Sequence, residues 1–463
     1  MKVTILGIAL CMSSPVLAHA QNSDSFEALR AEIQELREEL AAVRQQLDSI
    51  RGTPSSQLPA STPAITEEQE LLKAKVDDQY QTKVESGSKY RVRLSGLALM
   101  NAFTTRGAVD NLDLPAIALA RRPGDTNGAS GASARQSRLN VEVFGPEWKG
   151  AKTTGEMSVD FWGGFPIASN GNTSGFIRLR TATLSLDTAR TSVVAGQDVP
   201  FFSPRSPTSL ASSAYPPLSA AGNMWTWTPQ IRVERRFALS ENDTFSIQGG
   251  VLDPLSGEFP AEYDRTPTAG ERSRIPAWAT RIGWQRTASD HVNGFGVGSY
   301  YSRQNWGYGR TVDAWAVTGD WDFTLGKGFS LSGELYRGRA LGGLGAGVTG
   351  SVFFSAANPS TVLPLNNVGG WSQLKYKPVE RMEFNAAFGE DEPFRPSAAG
   401  RLMSQYTTAG SFVSRNASGF LNAIYTARSN LLFSVEYRRL WTTGFYSPRR
   451  TADQISITSG IAF

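Results

Sequence analysis

The stretch Ala452-Asp453-Gln454-Ile455-Ser456-Ile457-Thr458-Ser459-Gly460-Ile461-Ala462-Phe463 decides how the rest of the chain is read. Ile455, Ile457, Ile461 and Phe463 fall at every second position, interrupted only by Ser459, and polar or small residues lie between them. Successive side chains of a β-strand point to opposite faces, so this period of two describes a strand with one apolar and one polar face. An ordinary edge strand of a soluble sheet would also alternate. An apolar face that ends on a terminal aromatic is what the closing strand of an outer-membrane β-barrel presents to lipid.

The other end of the chain agrees. Met1-Lys2 begins a positive segment, Val3 to Met12 are apolar, and Ala18-His19-Ala20 is a small-x-small cleavage site, so residues 1–20 read as a signal peptide. Cys11 is the only cysteine and lies within that segment, behind Leu10 where lipid attachment needs a small residue. A chain starting at Gln21 would have no thiol for a disulfide or for catalysis. No stretch beyond the signal is apolar enough for a spanning helix. An exported chain can still cross a bilayer as a closed barrel, because every backbone group then pairs with a neighbouring strand. The 45 Gly, 11 Trp and 13 Tyr fit such a barrel.

Residues 21–52 carry a heptad pattern. Phe26, Leu29, Ile33, Leu36, Leu40, Val43, Leu47 and Ile50 are spaced alternately by three and four, which predicts a coiled-coil helix. Glu32 and Glu39 at g would meet Arg37 and Arg44 at e of a parallel partner. Leu at a with β-branched residues at d leans toward three strands. A single amphipathic helix packed on the barrel is the competing reading. Residues 53–88 read as a linker, Gly/Pro/Ser/Thr-rich at its start, with a possible short helix in its second half.

From 89 to 463 the chain resolves into sixteen amphipathic segments joined alternately by short and long connections. The predicted fold is therefore all-β: a sixteen-stranded antiparallel transmembrane barrel preceded by a periplasmic coiled-coil helix, with eighteen strands as the nearest rival. Turns such as Ser240-Glu241-Asn242-Asp243 and Gly326-Lys327-Gly328 belong on the periplasmic side and the long loops outside. Trp225, Trp227, Trp278, Trp284, Trp321 and Trp441 are expected near strand ends or on lipid faces, as in aromatic girdles.

The chain has 46 Lys and Arg against 42 Asp and Glu. Residues 21–52 hold four basic and seven acidic residues and residues 53–88 three and six, so the basic excess belongs to the barrel. Strand parity then sorts the charges. With Val92 and Leu94 toward lipid, Arg91 and Arg93 face the lumen, and the same alternation turns Arg138, Arg178, Arg180, Arg232, Arg281 and Arg438 inward. Glu142, Glu156, Asp160, Glu234 and Glu436 share that inward face. Guanidinium groups suit carboxylate or phosphate ligands because their planar fork donates two parallel hydrogen bonds. The residues following strand five, from Phe201 to Met224, form the third long loop. Such loops can fold into the lumen, which makes Arg205 a constriction residue. A ladder of paired charges bracing the wall, or a simple surface loop, would use the same residues.

These features together resemble the DcaP-like trimeric porins. Arg135-Gln136-Ser137-Arg138-Leu139, Arg178-Leu179-Arg180 and Ala195-Gly196-Gln197-Asp198 are local matches, although phosphate-selective porins share similar fragments. The resemblance implies a homotrimer with one pore per protomer, passing small anionic solutes such as dicarboxylates or aromatic acids. Outer-membrane lipids and lipopolysaccharide are the expected surroundings, with peptidoglycan as a further possible contact of the coil. A structural barrel anchored through that coil is the alternative from another class. Enzymatic activity is not expected. Beyond the signal the chain has one histidine, His291 at a turn, too little for a Ser-His triad or a histidine metal site. No cofactor fingerprint, catalytic residue, metal site or nucleic-acid module is recognised.

Overall fold

The structure is a computed structural model. It describes residues 90–166, 171, 174–258, 265–288, 291–354, 361–394, 413–428, 430–445 and 447–463. The signal segment, the heptad residues Phe26, Leu29, Ile33, Leu36, Leu40, Val43, Leu47 and Ile50, and the linker lie outside the described residues.

Sixteen antiparallel barrel strands are present among the described residues. They are β1 (Arg91–Arg106), β2 in two pieces (Gly128–Ser133 and Arg138–Phe144), β3 (Lys152–Asp160), β4 (Arg178–Asp187) and β5 (Thr191–Asp198). Then follow β6 (Thr228–Ala238), β7 (Asp243–Leu252), β8 (Ala277–Ala288), β9 (His291–Asn305), β10 (Thr311–Gly326) and β11 (Phe329–Arg339). The ring is completed by β12 (Asn366–Val379), β13 (Met382–Phe394), β14 (Val413–Ala427), β15 (Leu431–Gly444) and β16 (Ser447–Ala462). Each strand pairs with the next in sequence, and β16 pairs with β1 from Leu97↔Ala462 to Arg106↔Asp453. The sheet is therefore closed, and no edge is left to template aggregation.

The terminal aromatic has a definite seat. Phe463 and Gly96 exchange two backbone hydrogen bonds, 2.7 and 3.1 Å long. A Cβ on Gly96 would come within 2.5 Å of the Phe463 ring, so the absent side chain makes room for the residue that completes closure. Ile455, Ile457 and Ile461 are 47, 58 and 44% exposed on the outer wall, while the intervening Gln454, Ser456 and Thr458 are buried toward the lumen. This is the polarity of a barrel whose solvent outside is lipid.

The two β2 pieces both pair with β1, on either side of residues 134–137. Arg135-Gln136-Ser137 is thus an interruption within the second strand. The turn from β10 to β11 passes through Gly326, Lys327 and Gly328 with φ of 86, 51 and 81°. Glycines flanking a single side chain suit three successive left-handed residues, which explains a tight turn there.

Long connections gather at one end of the barrel and turn inward. The loop of residues 199–227, here L3, buries Phe202, Ala214, Ala221, Asn223 and Met224 within the wall. The loop of residues 107–127, here L1, buries Leu114 and Ala118, and the loop of residues 340–365, here L6, buries Leu341, Leu344 and Phe353. One cluster combines Phe201, Phe202 and Met224 of L3 with Tyr300, Ala316 and Tyr336 of the wall and Leu341 and Leu344 of L6. The barrel therefore has an apolar core inside its polar lumen, built by loops.

Candidate functional site

The site is the lumen where L3 crosses it. L3 is fastened to two walls, centred on β3 and β10, that lie seven strands apart in the ring of sixteen and so nearly face each other.

On the first wall, β3 ends at Asp160, which is fully buried. The Arg178 Nε donates to its Oδ1 at 3.1 Å, and Arg178 and Arg180 donate to Oδ2 at 2.6 and 2.9 Å. The Trp162 amide donates to Oδ1 as well, at 3.0 Å. Two arginines two residues apart both reach one carboxylate because the β3–β4 register shifts between Ser158 and Val159, which makes Arg180 the extra residue of a bulge. The same guanidiniums donate onward to L3: Arg178 to the Ala214 carbonyl, and Arg180 to the Ser213 and Ala214 carbonyls. Arg138 lies across from Asp160 in the register, and its Nε is buried without a hydrogen-bond partner. Arg135 pairs with Asp113 of L1 at 2.9 Å. Four guanidiniums thus share two carboxylates.

Aromatic rings cover these cations. Arg135 stacks on Trp162 and Phe165, with its Cζ 4.0 and 4.1 Å from the ring centres. Arg178 lies over Tyr215 at 4.6 Å, and Arg180 over Trp227 at 4.5 Å. Tyr215 packs edge-on against Trp225, and Trp225 against Trp227. Trp225 and Trp227 are therefore on the lumen side and not in a girdle, which corrects the expectation for this pair. Their strand-end position is right. The alternation that assigns a face does not extend past the start of β6 at Thr228, where the backbone leaves the sheet. Trp278 remains outside, 54% exposed. A cavity of about 460 Å³ opens beside the cluster, lined among others by Trp162, Tyr215, Trp225, Asp110 and Arg438.

On the opposite wall, Asp320 of β10 is the hub. Arg281 of β8 binds it in fork fashion at 2.9 and 2.8 Å, and Arg205 of L3 donates to it at 2.8 Å. Arg205 also reaches Asp322 at 2.9 Å, and its backbone amide donates to the buried Glu334 carboxylate of β11. The Ser203 hydroxyl donates to the other Glu334 oxygen at 2.7 Å. Here two guanidiniums face three carboxylates.

Between the walls L3 is held by side chains rather than by sheet pairing. Gln136 accepts from the Ser213 and Ala214 amides and donates to the Ala211 carbonyl at 3.0 Å. Gln373 accepts from the Thr208 amide, Glu436 accepts from the Ser209 hydroxyl, and Asn416 donates to the Ala220 carbonyl. Arg438 pairs with Glu436 at 2.7 Å and donates to Ser212 of the same loop.

The remaining expected residues lie apart from this crossing. Arg232 pairs with Asp198 at 2.8 Å, and Arg93 with Glu142 at 3.1 Å. Arg91 stacks on Phe144 at 4.1 Å near the short-turn end. Arg91, Arg93, Arg138, Arg178, Arg180, Arg232, Arg281 and Arg438 occupy inward register positions, and Arg205 projects from L3 into the lumen. Most are compensated by a carboxylate. Alternation assigns a face to each arginine but cannot show its partner, so Arg135, Asp320, Asp322 and the aromatic cover were missed as parts of the site.

The three short motifs serve one purpose. Arg135 and Gln136 hold L1 and L3, Arg178 and Arg180 hold Asp160 and L3, and Gln197 donates to the Arg180 carbonyl across the bulge at 2.7 Å. Gly196 has φ of +141°, and a Cβ there would lie 2.0 Å from the Ala182 carbonyl oxygen, so the close approach of β5 to β4 at this point requires glycine.

No family model and no curated protein matches the chain. Among solved structures the barrel is similar to the outer membrane channel DcaP of Acinetobacter baumannii, with a TM-score of 0.60 and 17% identity over 82% of this chain and 100% of that one. The fold is that of an outer-membrane channel. Weaker likenesses are to an anion-selective porin from Comamonas acidovorans (TM-score 0.48, 12% identity, 81% of this chain and 100% of that one) and to Pseudomonas putida OprB (0.49, 10%, 85% and 97%). These two are too distant to bear on selectivity. The channel fold fits the geometry above: a closed wall, an apolar exterior and a lumen narrowed by an inward loop.

Proposed function

We propose that the protein is an outer-membrane porin, assembled as a homotrimer with its N-terminal segment in the periplasm, that passes small organic anions such as dicarboxylates or aromatic acids. The observation that carries the reading is the cation excess of the β2–β4 wall. Arg135, Arg138, Arg178 and Arg180 surround only Asp160 and Asp113, and aromatic faces border the adjoining cavity. A carboxylate entering that cavity meets Arg438 on its lining, with Arg135 and Arg178 behind Trp162 and Tyr215. A ring on the same solute meets Tyr215 and Trp225. Fixed positive charge in a narrow, low-dielectric passage concentrates anions and repels cations.

Catalysis has no place in this reading, since a hydrolytic site would have to be grafted on the wall from residues already engaged in pairing. A second reading is supported by one specific observation. L3 and L6 bury one apolar cluster inside the lumen and L1 and L3 a second, as a closed or structural barrel would.

The deciding measurement is the zero-current potential and single-channel conductance of the purified protein in a planar bilayer across a KCl gradient. Anion selectivity with three-step closure is expected, with block by dicarboxylates stronger than by phosphate. Cation selectivity would overturn the anion reading. Absence of conductance would favour the structural barrel, and stronger block by phosphate would favour a phosphate channel.

A further inference from the structure

The cavity of about 460 Å³ beside the basic wall carries a carboxylate on its lining as well as a guanidinium: Asp110 of L1 and Arg438 of β15. Passage of an anion has no use for the carboxylate. Asp110 begins the turn that joins Ala108–Val109 to Ala118–Leu119, and its backbone amide donates to the Ile117 carbonyl at 3.1 Å. Its Oδ1 accepts from the Ala116 and Ile117 amides, 3.0 and 2.9 Å away. The turn is fastened to the wall as well. Asn416 of β14 donates to the Ala116 carbonyl at 3.0 Å, and the Ala118 amide donates to the Thr442 hydroxyl of β15 at 2.9 Å. The carboxylate is therefore held at a fixed place on the cavity wall, and among the described residues no lysine or arginine pairs with it.

Arg438 is only partly used by its neighbours. Its Nε and Nη2 hold Glu436 Oε1 at 3.2 and 2.7 Å. Nη1 carries two N–H groups and has only the Pro115 carbonyl, 3.5 Å away, beyond the usual range of an N–H···O bond. Donors thus remain on a buried guanidinium that borders the cavity. The two charged groups flank a single peptide. The Pro115–Ala116 carbonyl faces Arg438 and the amide of the same unit faces Asp110, so Nη1 and Oδ1 are at most about 9 Å apart. An α-amino acid with a hydrogen bond at each charged end spans about the same distance, its own nitrogen and carboxylate oxygens being about 3 Å apart. Trp162, Tyr215 and Trp225 line the same cavity, with Tyr215 edge-on to both tryptophans.

We propose that this cavity binds an α-amino acid with an aromatic side chain as its zwitterion, the ammonium on Asp110, the carboxylate on Nη1 of Arg438 and the ring against Tyr215 and Trp225. The alternatives each meet a charge of their own sign. A lone carboxylate gains the Arg438 donors but faces Asp110. A lone ammonium gains Asp110 but faces the guanidiniums of Arg135 and Arg178 behind Trp162 and Tyr215. A solute that carries both charges close together meets each with its opposite. The proposal rests on the channel reading for access through the lumen, and it narrows the organic acids of that reading to those that also bear an amine. The cavity has the size of an ordinary small-molecule site.

The test is equilibrium binding to the full protein purified in detergent, followed by calorimetry. The probes are L-phenylalanine, 3-phenylpropanoate, which lacks the amine, and 2-phenylethylamine, which lacks the carboxylate. Phenylalanine should bind at least roughly tenfold more tightly than either analogue. Asp110→Asn keeps an oxygen for the Ala116 and Ile117 amides and removes the charge. It should weaken phenylalanine to the level of phenylpropanoate while phenylpropanoate itself binds no less tightly, a pair of effects that a loosened L1 would not give. Arg438→Lys keeps a cation beside Glu436 but loses the fork. It should weaken phenylalanine and phenylpropanoate together and leave phenylethylamine unchanged. Equal affinity for phenylalanine and phenylpropanoate overturns the proposal, and so does a gap that Asp110→Asn leaves as it was. Conductance in a planar bilayer tests the channel reading separately. A protein that passes no current would sink that reading, whereas binding in detergent still decides whether the cavity takes a zwitterion.

Discussion

The two walls that hold L3 use the same chemistry in opposite proportion. Around Asp160 on β3, guanidiniums are in excess. Around Asp320 on β10, carboxylates are: Asp320 pairs with Arg205 and Arg281, Asp322 with Arg205, and Glu334 accepts from the Arg205 amide. Each wall taken alone looks like structural pairing. Set against each other, seven strands apart, they place a basic surface opposite an acidic one where L3 crosses the lumen. A solute crossing there meets a transverse field and not a uniform basic tube. Selectivity should therefore depend on which wall is altered and not on the net charge of the barrel.

The strongest way to break the comparison is to remove the cations of the first wall. Arg178→Ala with Arg180→Ala should lower the anion-to-cation permeability ratio by roughly tenfold, read from the zero-current potential. It should also destabilise the region, because the buried Asp160 would lose both guanidiniums hydrogen-bonded to it and keep only Arg138 across the register, at a cost of up to about 3–5 kcal/mol. Adding Asp160→Asn separates the two effects. Stability should return while selectivity stays lost. Selectivity that survives the triple substitution would show that the first wall does not select.

Next in size is the opposite fastening. Arg205→Ala frees L3 from β10 while Arg281 continues to neutralise Asp320, so the wall itself should survive. Single-channel conductance should rise and become noisier as the loop swings. Unchanged conductance would mean that L3 is held by Gln136, Gln373 and Asn416 and that Arg205 constricts nothing. Asp322→Asn is the milder counterpart: its carboxylate is partly exposed and shared with Arg205 alone, so its loss should raise anion preference modestly. A fall in anion preference would reverse the assigned roles of the two walls.

Much of this was legible in the sequence because a barrel strand is a local pattern. The alternation of Ile455, Ile457 and Ile461 with Gln454, Ser456 and Thr458 gives strand and face together, and the same rule orients Arg178 or Arg281 without knowledge of any neighbour. What the pattern lacks is partnership. Asp160 binding two arginines depends on a one-residue register shift, and Arg205 meeting Asp320 depends on a loop crossing more than a hundred positions of sequence. Trp225 and Trp227 were placed outside because girdles favour strand-end tryptophans, yet both sit past the point where strand parity holds. The break of β2 at Arg135-Gln136-Ser137 was hidden for a similar reason. Those residues continue the strand in composition, but Arg135 and Gln136 hold L1 and L3, and the Ser137 hydroxyl bonds the Leu99 backbone of β1.

The smallest expected effect concerns the floor of the cavity beside the basic wall. Asp110 of L1 lines that cavity and accepts from the Ala116 and Ile117 amides at 3.0 and 2.9 Å. Burial pushes its carboxyl above the ordinary aspartate range, and the amides only partly offset this. The sign follows. A carboxyl that binds its proton more tightly in the fold than in the unfolded chain favours the folded loop at pH below the ordinary aspartate value. That contribution is lost as pH rises through the raised value. While ionised, the group is a negative charge that opposes anions entering the cavity it shares with Arg438. Acidification through the raised value should remove it, and anion preference should climb slightly before exposed carboxylates titrate. Asp110→Asn keeps an oxygen for both amides and has no charge to lose. It should show the higher preference already at neutral pH, without that early rise. The difference between the two proteins in zero-current potential, measured stepwise from pH 7 downward, isolates this one group from the other carboxylates. Identical titrations would mean that Asp110 only ties L1 in place and that the cavity is not on the path of the ion.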